Sequence, residues 1–407
     1  MLAPSSLDLD PMRLVALRGG LGAVPGVRLA GVHAGIKARK RDLALVAFDS
    51  PQACASVVTT NDIKAAPIVV SAAHLTTSET MRALVCNSGC ANACTGERGI
   101  HDASATAKQA AALLGISETQ VIVASTGVIG VPLPIDRVQR GLERAAGQLE
   151  EGGKSALDAA EAIMTTDRVP KLAAYAFYHD GRKYVVGGIA KGSGMIAPNM
   201  ATMLAFIATD FPMPKSALQH VLMLSVDESF NMISVDGDMS TNDAVYAFAP
   251  VGVYDVPVAG TEAFRRVCLE LAQAMVADGE GATKKLEMRV SGARDDSQAR
   301  ILARAVINSN LVKTALYGED PNWGRIVAAA GAATAGMDPQ AWSLDLNGKT
   351  WVATGGIEML SEVEAHRELE SSNVCVELKL GLGSGRATAW GCDLSRDYVR
   401  INANYRT

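Results

Sequence analysis

Short apolar runs alternate with amphipathic stretches along the whole chain. Ile135, Val138, Leu142, Ala145 and Leu149 recur at helical spacing, and Phe264, Val267, Leu271 and Met275 repeat the pattern. Each segment therefore turns one apolar stripe toward a partner surface. Leu172 to His179 and Tyr184 to Ile189 instead read as strands on either side of Asp180-Gly181, a pair suited to a tight hairpin turn. Val121 to Ala124 is a continuous apolar run, as in a buried strand. Ser125-Thr126-Gly127 is expected to end it in a turn whose amides are free of the sheet ladder. The breaks at Glu150 to Gly153, Phe211 to Pro214 and Gly292 to Asp296 are expected in surface loops. The pattern predicts an α/β fold, with mixed sheets layered with helices and no internal repeat.

Composition narrows the class. The chain has 407 residues, of which 48% are hydrophobic and 20% charged, enough for a large core and, by length, two or three domains. The net charge of −5 has no basic stripe behind it and only 5% of residues are aromatic, which argues against nucleic acid as a partner. Asp8 and Asp10 precede any apolar run, unlike the basic-then-apolar order of a secretory signal. The longest uncharged stretches fall short of the roughly 20 apolar residues of a membrane span. Seven scattered cysteines suggest reduced thiols and a cytoplasmic setting. The spacing of Cys86, Cys90 and Cys94 fits no zinc pattern. The run VDGDMSTND, Val235 to Asp243, departs from a calcium loop because Thr241 and Ala247 stand where glycine and glutamate are required. A packed, hydrogen-bonded turn is expected there, and no metal.

The segment KGSGMIAPNMATML, Lys191 to Leu204, carries the chemistry. Thr202 follows small Ala201 and a glycine-rich approach, so its hydroxyl could attack the Ala201 carbonyl; Gly192, Gly194 and Pro198 shape that approach. A threonine gains a built-in base only when its own α-amine is free, since that amine has a pKa of about 8. The same five residues, Met200 to Leu204, equally suit the start of a buried strand. Lys191 offers a cation and Glu280, in the glycine-flanked loop Asp278 to Gly281, an anion, although either alone could be a solvated surface charge.

Motifs in order along nearly the entire chain resemble the ornithine acetyltransferase family, the glutamate N-acetyltransferases of arginine biosynthesis. They are Gly35-Ile36-Lys37, Thr60-Asn61 with Ala65-Ala66-Pro67, Asn87-Ser88-Gly89 with Ala91-Asn92-Ala93 and Thr95-Gly96, Ser125-Thr126-Gly127, Thr165-Thr166-Asp167, VDGDMSTND, DGEGATK from Asp278 and NANYRT from Asn402. Cys90 stands where that family usually has asparagine. The resemblance implies autocatalytic cleavage of Ala201-Thr202, giving intertwined pieces 1–201 and 202–407 in a heterotetramer with two copies of each. It implies an oxyanion hole from Thr126 and Gly127, and substrate contacts from Thr165 (or Thr166), Lys191, Thr202, Glu280, Asn402 and Thr407. The implied reaction is ping-pong transfer of acetyl from N-acetylornithine to glutamate through an acetyl-threonine, without a cofactor, leaving open acetyl-CoA as a further donor. Two other readings stay open: an N-terminal-nucleophile amidohydrolase or aminopeptidase, and an uncleaved, non-catalytic binding protein.

Overall fold

The computed structural model describes residues 14–197 and 203–404. Two sheets dominate. The first has nine strands, running in order Val15–Leu17, Lys171–His179, Arg182–Lys191, Leu204–Thr209, Ala244–Pro250, Leu43–Val58, Met81–Cys90 and Val121–Val128, with Val27–Val32 added on Leu43–Val58. Its pairings are mixed, antiparallel between Lys191 and Leu204 and parallel between Leu204 and Ala244. The second sheet has seven strands, all from residues after 232, with Lys285–Ala293 between Asn373–Lys379 and Gly385–Cys392 at its centre.

The expected helices form at Ile135–Ala146 and Val258–Ala277, and bury Val138, Leu142, Ala145, Phe264, Val267, Leu271 and Met275. Leu149 lies beyond the first helix and is only partly buried. The hairpin is also as expected: Asp180 and Gly181 both adopt positive φ (48° and 73°) between Lys171–His179 and Arg182–Lys191, the backbone that follows the right-handed twist of the strands. Two breaks differ from expectation: Gly292 and Ala293 still belong to strand Lys285–Ala293, with Ala293 buried, and the other runs from Phe211 to Pro214. Phe211 and Met213 are buried, because the Phe211–Pro214 segment packs into the apolar layer before helix Lys215–Asp227. That layer takes side chains from both sheets and from the helices between them, so the two sheets share a core, and further apolar clusters cover the rest of the first sheet.

Strands Leu204–Thr209 and Ala244–Pro250 lie between strands that precede residue 192. A chain cut before Thr202 would therefore remain one body, since separating the pieces would strip two central strands of their partners.

Candidate active site

The parallel strands Met81–Cys90 and Val121–Val128 form one wall. Asn87 sits opposite Ser125 and Ser88 opposite Thr126, and the register slips at Gly89 and Cys90. The Ser-Thr-Gly triplet is thus not a turn, as the apolar run alone suggested, but the end of a strand carried on to Val128. The irregularity is concentrated at the same place. Gly127 has φ +130°, and a Cβ there would come within 2.4 Å of the Gly89 carbonyl carbon, so only glycine fits this close, bulged pairing. Polar partners explain why the apolar pattern stops at Ala124. Ser125 Oγ donates to Asn87 Oδ1 (2.6 Å), and Asn242 Nδ2 donates to the carbonyls of Ser125 and Ala91 (2.8 and 2.7 Å). Asn87 Nδ2 donates to the Cys90 carbonyl, and the buried Cys90 thiol, its pKa raised by burial, turns to Val131 O.

Lys191 ends its strand beside this wall, opposite Leu204, and is 2% exposed. Its ammonium donates to Thr126 Oγ1 at 3.3 Å. Burial holds its pKa below the usual lysine value, opposed chiefly by the charge of Asp167. Asp167 accepts from Lys171 Nζ (2.6 Å), Gly192 N (2.7 Å) and Thr165 N (3.0 Å). Burial pushes this carboxyl up, but Lys191, Lys171 and those hydrogen bonds outweigh it and hold its pKa at about 2. Lys171 reaches a second buried acid, Asp278, at 2.8 Å. One lysine thereby ties the Thr165–Asp167 segment to the loop that carries Glu280.

Glu280 is buried, its amide donating to Ser193 O (2.8 Å) and its carboxylate accepting from Asn402 Nδ2 (2.7 Å). Gly194 is needed here for space, not for an unusual backbone angle. A Cβ on it would lie 2.5 Å from the Glu280 carboxylate carbon. Helix Arg396–Asn404 presents Tyr398 and Asn402 one turn apart on one face, with Tyr398 Oη 3.1 Å from Asp236. Of the two threonines, Thr166 shares a hydroxyl hydrogen bond with Ser193 Oγ (2.7 Å), which leaves Thr165 as the freer side chain.

The Val235–Asp243 run is the hydrogen-bonded turn expected of it. The Asp236 carboxylate accepts the amides of Met195 and Ile196 (2.6 and 2.7 Å), and Ile196 O accepts from Val235 N (2.8 Å). Asp243 accepts the amide of Met203 (3.0 Å) and that of Ser240 (3.3 Å). Burial raises the pKa of both acids, that of Asp243 well above the ordinary range.

These parts enclose one cavity of about 100 Å³ lined by Thr126, Gly127, Thr165, Lys191, Glu280 and Asn402, together with Thr166, Gly194, Met195, Asp236, Asn242 and Tyr398. Ala201, Thr202 and Thr407 lie outside the described residues. Tyr398, Asn242 and Lys171 escaped the sequence reasoning. The spacing of Tyr398 four residues before Asn402 was the one local signal available. Of the thiols considered for a metal, Cys86 is buried and its pKa is pushed up to about 12 by that burial, a poor starting point for a ligand. Among the described residues the grouping with ligand-like spacing is Glu319, His366 and Glu370, which is not part of the cavity.

The ArgJ family model matches residues 28–407. The arginine biosynthesis bifunctional protein ArgJ of Symbiobacterium thermophilum is 48% identical over 404 residues, covering 96% of this chain and 99% of that protein. Its counterpart from Thermosynechococcus vestitus is 45% identical over 415 residues, with the same shares covered. Among solved structures, ornithine acetyltransferase from Mycobacterium tuberculosis complexed with ornithine is 42% identical, over 46% of this chain and 98% of that one, with a TM-score of 0.43. Matched by the family model over nearly its whole length, and close to half identical to relatives from end to end, the chain belongs to the ArgJ family.

Proposed function

We propose that this protein is a glutamate N-acetyltransferase of arginine biosynthesis that cuts itself before Thr202 and then uses that threonine to carry acetyl from N-acetylornithine to glutamate. The observation that carries the reading is the cavity. It gathers a buried lysine, the Thr126-Gly127 wall and a buried glutamate from distant parts of the chain, beside residues that adjoin both sides of the 198–202 segment.

In maturation the Thr202 hydroxyl adds to the Ala201 carbonyl, the amide C–N bond breaks, and the hydroxyl proton ends on the departing nitrogen. Water then hydrolyses the ester, giving an Ala201 carboxylate and restoring the Thr202 hydroxyl beside its now free α-amine. In turnover that amine takes the hydroxyl proton while the oxygen attacks the acetyl carbonyl; ornithine leaves as the amine, and the glutamate amine collects the acetyl group. Negative charge on the carbonyl oxygen is met by the Gly127 amide and the Thr126 hydroxyl, where a well-aimed donor is worth about 3 kcal/mol. The Lys191 ammonium beside Thr126 adds positive charge and suits the α-carboxylate that both substrates carry. Glu280, steadied by Asn402, suits a substrate ammonium. Thr165 and Thr407 complete the proposed contacts.

The relatives' name, bifunctional protein, supports a second donor, acetyl-CoA, used at the same threonine with no resident cofactor. An assembly of two copies of each piece in the cytoplasm accompanies the reading. It accords with cysteines that are all free and with the lack, among the described residues, of a helix long and apolar enough to cross a membrane.

Purified protein given N-acetylornithine and glutamate is expected to form N-acetylglutamate, and acetyl-CoA with glutamate the same product. Free acetate formed regardless of glutamate would instead mark an amidohydrolase. Thr202→Ala is expected to abolish both self-cleavage and transfer, while Thr202→Ser keeps part of each.

A further inference from the structure

The Val235–Asp243 loop grips the chain on both sides of the segment that contains Thr202. Upstream, Asp236 binds the amides of Met195 and Ile196, and the Ile196 carbonyl accepts back from Val235 N at 2.8 Å and Ser234 Oγ at 3.2 Å. Downstream, Asp243 binds the amide of Met203, the residue directly after Thr202, and the Met203 carbonyl accepts from Ala244 N at 3.1 Å. Asp243 and Met203 are each 1% exposed, so water cannot stand in for either partner. The same loop reaches the opposite wall, because Asn242, next to Asp243, donates to Ser125 O and Ala91 O. Residues 242 and 243 thus join the backbone following Thr202 to the backbone preceding Thr126.

We infer that Asp243 is a positioning residue for the proposed nucleophile: its hydrogen bond to the Met203 amide fixes the backbone that follows position 202 relative to the strand that carries Thr126 and Gly127. The inference rests on the reading of Thr202 as the nucleophile. Asp243 bonds to the neighbouring amide, not to a reacting atom, and its contribution is to hold the backbone at Met203 in register with the strand of the proposed donors. Near-attack geometry is sensitive to shifts of about 1 Å. Loss of the anchor should therefore slow self-cleavage and lower kcat more than it raises KM. What matters is the acceptor oxygen, so asparagine, which keeps one, should largely replace aspartate.

The test follows self-cleavage by intact mass in freshly made Asp243→Ala, Asp243→Leu and Asp243→Asn, with folding checked by circular dichroism and thermal midpoint. Loss of a buried hydrogen bond to a charged or polar acceptor predicts cleavage on the order of 100-fold slower in folded Ala or Leu variants. The Asn variant should stay within about tenfold of wild type, and its matured form should keep its kcat to the same degree. Asn is close to isosteric and tests the claim even where Ala and Leu fail to fold. A folded Ala or Leu variant cleaving at the wild-type rate, or a folded Asn variant that does not cleave, would overturn the assignment. Wild-type protein that stays in one piece would instead remove the underlying reading of Thr202.

Discussion

Two aspartates, Asp167 and Asp243, are both almost completely buried and both feel the charge of Lys191, yet their pKa values are shifted in opposite directions. Asp167 faces Lys171 at 2.6 Å and belongs to an ionic cluster with Asp278; its pKa is drawn down to about 2. Asp243 faces backbone amides, and burial drives its pKa well up. Burial alone therefore does not decide the charge of a carboxylate; the nearest partners do. The ionic region sets the electrostatics around Lys191 and ties the Thr165 and Glu280 segments together. The amide-bonded region holds backbone on each side of the proposed cut through hydrogen bonds to amides in place of ion pairs.

Replacing each acid by its amide breaks the comparison most visibly. Asp167→Asn leaves Lys171 and Lys191 with less compensation in a buried setting and is expected to cost about 3–5 kcal/mol in stability, read from the denaturant midpoint at neutral pH. Asp243→Asn loses no ion pair and should stay within about 1 kcal/mol of wild type. The pH dependences should run in opposite directions. The folded pKa of Asp167 lies below the unfolded value near 4, so its contribution is present above pH 4 and is lost as pH falls toward about 2. The folded pKa of Asp243 is raised, so its contribution is present below about pH 4 and lost as pH rises through the folded value. The Asp167→Asn deficit should accordingly shrink in acid, whereas any advantage of Asp243→Asn should be greatest at neutral pH and vanish near pH 4. Equal losses for the two variants, with the same pH trend, would show that the regions do not differ as described.

A smaller effect sharpens the functional side. In Gly194→Ala the new Cβ meets the tip of a flexible side chain, the Glu280 carboxylate, and not backbone. The thermal midpoint should barely move, while displacement of Glu280 from Asn402 should raise the KM for N-acetylornithine by about tenfold, the equivalent of one weakened charge-assisted contact. An unchanged KM would detach Glu280 from substrate binding.

Much of this could be read along the chain. The 3.6-residue and two-residue periods gave the helix at Ile135–Ala146 and the hairpin at Asp180-Gly181, because both depend on local geometry. The residues at 126, 127, 165, 191, 280 and 402, which the family resemblance implies as site residues, meet in one cavity. Charge or spacing alone would have left Lys191 and Glu280 on the surface, since nothing near them in sequence marks burial. What remained hidden depends on distant partners. Ser125-Thr126-Gly127 stays in a strand because Asn87 and Asn242 take up its polar groups. Lys171 is buried between two acids, and while Asp167 is four residues away, Asp278 is 107 positions away and invisible to local reading. Phe211 and Met213 are buried although flanked by prolines, because the apolar layer shared by the sheets closes over them.

The most direct test is intact-mass analysis with N-terminal sequencing of freshly purified, active protein. The account predicts two fragments of roughly equal size that sum to the 42.5 kDa chain plus one water, the second beginning at Thr202. A single active chain of 42.5 kDa, with Ala201 still joined to Thr202, would contradict it.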